Sequence, residues 1–365
     1  MIYLSFVDLS LNNGQGRYAF EILKQLQLYS VGEEITVLIP STKFDLNIKP
    51  SKNMRFIYLP QKKERSLFRH FINQLYIVLY LFILRKHHSK IVFSLKPMAF
   101  STLFLKLLKY RVVLLVEGDV NRTLNRLVHG YKLKLGHYIL KKNLNLADLI
   151  IPAYSKAKHW CESNLKHNIQ IKQIRCGVNY SSISIINHSN QSNSIKIGYV
   201  GSFNQRHCLN LLVEAVSLNE TIQVLLIGDG PTRDHILQLI DKFSVSDRIT
   251  WVGEVPNYKL SEVLSSCTHG WGVTSNKDWS VPIKVYEYLA MGITPIFKEC
   301  IDFHFITENK LGYALKANYD LYDIVVLFNN LKLHKNDKNF MRKTVCKYCN
   351  WSFFAHEIYD FFKSS

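Results

Sequence analysis

The stretch Ile222-Gln-Val-Leu-Leu-Ile-Gly-Asp-Gly-Pro231 reads as a strand that runs into a glycine-rich turn, after which Thr232 opens a helix through Ile240. An apolar, β-branched run without polar alternation suits a parallel strand covered on both faces. Bare backbone at Gly228 and Gly230 lets a ligand approach the turn closely. Upstream, Lys196-Ile-Gly-Tyr-Val-Gly-Ser-Phe203 ends another such strand at Gly201, followed by Ser202. The pattern extends outward in both directions. Strands are expected at Ile195–Val200, Gln223–Ile227, Ile249–Val252, Gly270–Val273 and Thr294–Phe297, and earlier at Ile2–Val7, Ile35–Ile39, Phe56–Leu59, Ile91–Ser94, Val112–Val116 and Leu149–Pro152. Helical periodicity fills the intervals. The expected fold class is therefore α/β, with two Rossmann-like, doubly wound domains. Ligands of such sheets bind outside the carboxyl ends of the strands, so the site is expected where the two domains face each other across a cleft.

A chain of 365 residues exceeds what one hydrophobic core usually supports. The polar stretch Asn187-His-Ser-Asn-Gln-Ser-Asn-Ser194 lacks apolar periodicity and serves as the boundary. The expected division is a first domain over 1–187, a linker over 188–194 and a second domain over 195–349. A C-terminal helix over 350–365 is expected to pack back on the first. The net charge of +18 is unevenly spread: residues 1–190 hold 28 Lys and Arg against 10 Asp and Glu, whereas residues 191–365 hold 18 of each. One basic and one neutral half imply two different partners.

The wholly apolar run Leu75–Leu84 is too short to span a bilayer. Lys62, Lys63, Arg65 and Arg69 precede it, and Arg85 and Lys86 follow. This composition fits a helix lying in an anionic membrane interface, and equally a buried helix with solvated ends. The charge of the first half favours the membrane, and no nucleic-acid-binding motif accompanies it. The N-terminal run has no basic stretch before it and no small-residue cleavage site, so a cytoplasmic protein, peripheral on the inner face of the cytoplasmic membrane, is expected. Seven scattered cysteines suit reduced thiols, and the lone pair Cys346-Lys-Tyr-Cys349 has no partners at metal-ligand spacing.

The ordered series Lys196–Phe203, the helix Leu209–Val216, Leu226-Ile-Gly-Asp-Gly-Pro231, Asp247-Arg-Ile-Thr-Trp-Val-Gly253 and Pro282-Ile-Lys-Val-Tyr-Glu-Tyr-Leu-Ala-Met-Gly292 resembles the donor domain of the family 4 (group 1) nucleotide-sugar glycosyltransferases of GT-B fold. The first half is similar to the family's acceptor domain more loosely, through Asn12-Asn-Gly-Gln-Gly-Arg-Tyr18, Ala147–Ser155 and Cys176-Gly-Val-Asn179. The resemblance implies a retaining transferase acting on a nucleotide diphosphate sugar and a glycan acceptor, here lipid-linked, in surface polysaccharide or glycoconjugate synthesis. No Asp-x-Asp sits at a strand end, and neither a cofactor nor a bound metal is expected.

Lys284 is expected near a helix N-terminus, where phosphate binds, with Glu287 one turn later on the same face. The resemblance gives the lysine the diphosphate and the glutamate the ribose hydroxyls. The bland alternative is a surface ion pair. Two departures from the family pattern stand out: Ser202 where an Arg is common, and Trp279, with Asp278 beside it, where an acidic residue is common. Arg206 and His207 are candidates to supply the missing positive charge, with His207 as a neutral helix cap the alternative. In the first half, Gly14 and Gly16 precede a helix expected over Tyr18–Leu28 and offer backbone to a phosphate or sugar. Gly14-x-Gly16-x-x-Ala19 also mimics a dinucleotide fingerprint, but lies too far from its strand. Glu117 and Asp119, at the end of the strand Val112–Val116, are candidates for the acceptor's base or for a structural cap. The rival readings are a glycosyltransferase-like scaffold without catalysis and a basic membrane- or nucleic-acid-binding module.

Overall fold

The computed structural model describes the chain except residues 6–13, 30–33, 41–52, 61–66, 85–90, 96–100, 118–120, 122–123, 126–128, 167, 181–182, 187–193, 278–280, 334–336 and 364–365. It forms two compact units, Met1–Cys176 with Trp351–Ser365, and Gly177–Asn350. The chain thus leaves the first unit ahead of the polar stretch, of which only Ser194 is described.

The first unit is built on a parallel seven-stranded sheet of order β3-β2-β1-β4-β5-β6-β7. Its strands are β1 (Ile2–Ser5), β2 (Ile35–Pro40), β3 (Met54–Leu59), β4 (Ile91–Leu95), β5 (Arg111–Val116), β6 (Leu149–Pro152) and β7 (Gln170–Ile171). Ile2 lies opposite both Thr36 and Val92, so the winding reverses at β1. The helices are α1 (Gly14–Tyr29), α2 (Leu67–Leu84), α3 (Ser101–Leu107), α4 (Tyr131–Leu144) and α5 (Ser155–Asn164). Right-handed crossovers put α1 on one side of the sheet and α2 to α5 on the other, because the chain moves in opposite directions from β1 to β2 and from β3 to β7. The C-terminal helix Trp351–Lys363 belongs to this unit; the Trp351 ring lies 5.7 Å from that of Tyr18 on α1. One expectation is corrected here: Gly14 and Gly16 lie inside the first turn of α1, not in a loop before it.

The second unit has a parallel six-stranded sheet of order β10-β9-β8-β11-β12-β13. The strands are β8 (Lys196–Val200), β9 (Gln223–Ile227), β10 (Ile249–Trp251), β11 (His269–Trp271), β12 (Thr294–Lys298) and β13 (Tyr313–Leu315). Its core gathers Ile197, Tyr199, Phe203, Leu226, Trp271 and Ile296, with the helix Leu209–Ser217 packed on them through Leu212, Val213 and Val216. β11 starts one residue earlier than expected and ends at Trp271; the next residue, Gly272, still donates to the Ile296 carbonyl at 2.8 Å. Here too the winding reverses, at the junction of β8 with β11, and ligands of open α/β sheets bind at such a junction.

Candidate functional site

The register of β8 and β9 sets the geometry of the site. Val200 lies opposite Ile227, so both strands end together and their turns meet. The Gly201 amide donates to the Ile227 carbonyl at 3.0 Å, and the Phe203 amide to the Asp229 carbonyl at 2.8 Å. Gly201 has φ +140°, Gly228 φ +128° and Gly230 φ +158°. A Cβ at Gly228 would run into the Gly201 carbonyl oxygen, and one at Gly230 into the Phe203 backbone. These glycines let two backbones touch, which no side chain permits. The Trp251 indole closes the far edge, donating to the Gly228 carbonyl at 2.8 Å.

Lys284 is the first residue of the helix Lys284–Met291, with Ile283 as its N-cap and Pro282 just before. Part of its stem is exposed, but the ammonium is buried and has no hydrogen-bond partner among the described residues. That ammonium sits 4.0 Å from the centre of the Tyr199 ring and 2.8 Å from where a Cβ at Gly201 would be. Tyr199 is held in turn by its hydroxyl, which donates to the Ser202 carbonyl at 2.7 Å. Burial, then the charge of Arg206, push the Lys284 ammonium down to about 7, against an opposing pull from Glu287. The Glu287 side chain is buried at the same helix end, so these two residues do not form a surface ion pair.

Arg206 and His207 lie in a 3₁₀ turn, Gln205–His207, capped by the Asn204 side chain, which accepts from the Arg206 amide at 3.2 Å. The buried Trp271 indole donates to the His207 carbonyl at 3.0 Å, and the Ser275 amide to the Arg206 carbonyl at 2.8 Å. Sequence reasoning passed over Tyr199 and Trp271. Tyr199 did carry a signal, lying two residues before Gly201 and therefore on the same face of β8. The His207 imidazole is buried, its ring centre 5.9 Å from that of Tyr199. Burial, then the charges of Lys284 and Arg206, hold its pKa far below the usual histidine range, so the ring is neutral. Positive charge here comes from Arg206, which is exposed, and from Lys284. Asp278 and Trp279 lie outside the described residues.

In the first unit, Glu117 follows β5 directly and adds to the upward push that burial exerts on the Tyr3 and Tyr18 hydroxyls. Gly14 and Gly16 lie in the first turn of α1. Asp119, Lys62, Lys63, Arg65, Arg85 and Lys86 fall outside the described residues, as does the side chain of Arg69. Among the described residues no group of His, Cys, Asp and Glu is arranged to hold a metal ion, and no helix is long and apolar enough to cross a membrane.

Two parallel-sheet Rossmann-like units are the architecture of the GT-B glycosyltransferase fold. Residues 183–337, within the second unit, match the family model described as glycosyl transferases group 1. Among solved structures, sucrose-phosphate synthase from Thermosynechococcus elongatus superimposes with a TM-score of 0.77 at 17% identity, covering 100% of this chain and 98% of that one. The lipopolysaccharide outer core galactosyltransferase WaaB gives 0.70 at 14% identity over 100% and 99% of the two chains. Anabaena HepE, solved in complex with UDP-glucose, gives 0.71 at 10% identity over 100% of both. No curated protein matches the sequence significantly.

Proposed function

We propose that this protein is a retaining, metal-independent glycosyltransferase of family 4 that moves a sugar from a nucleotide diphosphate donor to a lipid-linked glycan acceptor at the cytoplasmic face of a membrane, in surface polysaccharide or glycoconjugate synthesis. The observation that carries this reading is the Lys284 ammonium, buried at the switch point without a hydrogen-bond partner among the described residues. A desolvated cation at a helix N-terminus is poised for an anion, and a diphosphate supplies the charge it lacks. Gly201, Gly228 and Gly230 admit that anion to the backbone, with Ser202 at the same turn. Arg206 adds a second positive charge to a departing diphosphate, and His207 offers a neutral ring. Glu287 accepts from the ribose hydroxyls, and Asp278 reaches the sugar. Gly14 and Gly16 approach the sugar from the first unit, and Glu117 or Asp119 receives the acceptor proton. Lys62, Lys63, Arg65, Arg69, Arg85 and Lys86 face anionic lipid rather than nucleic acid.

Thermal unfolding with a series of nucleoside diphosphates and their sugars tests the donor. A ligand at a hundred times its dissociation constant adds about 2.7 kcal/mol of stability. Donor hydrolysis and transfer assays on the same preparation test turnover. If no nucleotide sugar is hydrolysed or transferred, and Glu287→Ala leaves nucleotide binding unchanged, the enzyme reading fails in favour of a non-catalytic scaffold.

A further inference from the structure

The helix α2 carries large apolar side chains on its exposed face as well as on its buried one. Its Asn73 and Gln74 are 0% exposed, and the Gln74 side chain accepts from the Ser101 amide at the start of α3 at 3.2 Å. Its Phe71, Leu75, Leu79, Phe82 and Ile83 are instead 50–61% exposed. That spacing is one continuous helical stripe. The buried Ile77 and Leu81 show which side faces the sheet, so the stripe points away from it. Exposing a row of large apolar side chains is costly in water.

The same side of the sheet carries two further apolar surfaces. On α3, Leu103, Phe104 and Leu107 are exposed while Leu105 is buried. On α4, Tyr131, Leu135 and Tyr138 are exposed on one face, while Leu140 and Leu144 are buried. Around them, Lys132, Lys134, Lys141 and Lys142 of α4 are all exposed. The Lys142 ammonium lies 5.5 Å from the Tyr138 ring centre. None of the three helices contains an Asp or Glu. Because the crossovers put α2, α3 and α4 on one side of the sheet, these surfaces form one layer.

We infer that the outer face of α2, α3 and α4 is a docking surface for an anionic lipid bilayer, with Leu75, Leu79 and Ile83 entering the acyl boundary and Lys134 and Lys141 meeting the headgroups. This rests on the lipid-facing reading of the first unit and adds to its flanking charges a defined plane of contact. Apolar side chains alone would suit any partner, but lysines interleaved with tyrosines, on a layer free of acidic residues, select a negatively charged interface.

The test is flotation of the full chain with vesicles of phosphatidylcholine alone or mixed with phosphatidylglycerol. The wild type floats with the mixed vesicles and much less with the neutral ones. Leu79→Ser with Ile83→Ser, and separately Lys134→Glu with Lys141→Glu, each lower the bound fraction by at least about tenfold. Leu79→Phe with Ile83→Phe, which keeps the face apolar, retains flotation and guards against misfolding as the cause of loss. Unchanged flotation in both disruptive variants overturns the inference. So does a wild type that stays in the dense fraction, or one that is a dimer by light scattering and becomes monomeric on Leu79→Ser with Ile83→Ser. Nucleoside diphosphate binding to the second unit is measured on every sample. Loss of flotation with binding intact isolates this surface, whereas absent binding in the wild type strikes the donor reading and leaves the flotation result to stand.

Discussion

The Lys284 ammonium lies 4.0 Å above the centre of the Tyr199 ring. The aromatic face offers negative potential to a cation that has no hydrogen-bond partner among the described residues. A cation–π contact in a desolvated setting contributes on the order of 1–2 kcal/mol, less than a diphosphate offers. The ring parks the charge without competing for it.

Replacing Tyr199 tests that division of labour. Tyr199→Phe keeps the ring and loses only the hydroxyl bond to the Ser202 carbonyl, so nucleoside diphosphate affinity should change by less than about threefold. Tyr199→Leu removes the face under the ammonium and should weaken binding by about tenfold or more. Calorimetric titration of the two variants distinguishes them.

Lys284→Met should bind nucleoside diphosphates far more weakly and yet melt at a higher temperature without ligand. Removing a buried charge near Arg206 relieves desolvation and repulsion, a gain of about 1–2 kcal/mol. Differential scanning calorimetry with and without ligand reads both effects. A variant that is less stable without ligand would show that the ammonium serves the fold.

Stability should rise with pH through this site. The Lys284 ammonium is held at about 7 against an ordinary value of 10.5, and His207 is held below its ordinary 6.5. In both cases the unfolded chain binds the proton more tightly, so lowering the pH favours unfolding. For Lys284 the loss accrues as pH falls from 10.5 to about 7. For His207 it begins below 6.5. Lys284→Met should flatten the alkaline part of the wild-type profile, and His207→Gln the acidic part, in unfolding midpoints measured across pH. Bound diphosphate should restore the proton to Lys284. Calorimetry at about pH 8 in buffers of different ionisation enthalpy should therefore show proton uptake on binding, absent in Lys284→Met.

Gly228→Ala should cost more than about 3 kcal/mol, because its φ of +128° disfavours any side chain and the new methyl meets the Gly201 carbonyl. Gly253→Ala is the control. Its φ is +73°, but nothing lies within 4 Å of the added methyl, so the cost should be about 1 kcal/mol. Denaturant unfolding followed by tryptophan fluorescence measures both.

β8 and β9 of the second sheet were legible in detail because they are largely buried, mostly apolar runs that end at Gly201 and Gly228. Two short edge strands, β7 and β13, escaped notice; Gln170–Ile171 and Tyr313–Leu315 are too brief to show a pattern. The start of α1 was misplaced because glycine has a poor helix propensity, and only the observed first turn shows that Gly14 and Gly16 belong to it. Lys284 and Glu287 were found from helical spacing and from the resemblance. Tyr199 and Trp271 were passed over as ordinary core aromatics, which by burial they are; their contacts with Lys284 and with the His207 carbonyl depend on where β8 and β11 lie in the sheet.

Periodicity and composition by themselves determined that this is a two-sheet α/β protein, that glycine turns end its strands, and that positive charge is concentrated in the first half. These are local properties, set by which residues can be buried together and which backbone angles each residue tolerates. The state of the charges was decided only by tertiary structure. Burial makes His207 neutral and draws the Lys284 ammonium towards neutrality, and the folding of α2 sends Asn73 and Gln74 inward and Leu75 and Leu79 outward. Burial depends on neighbours that are distant in sequence, and the spacing of residues along a chain carries no record of which neighbours those will be.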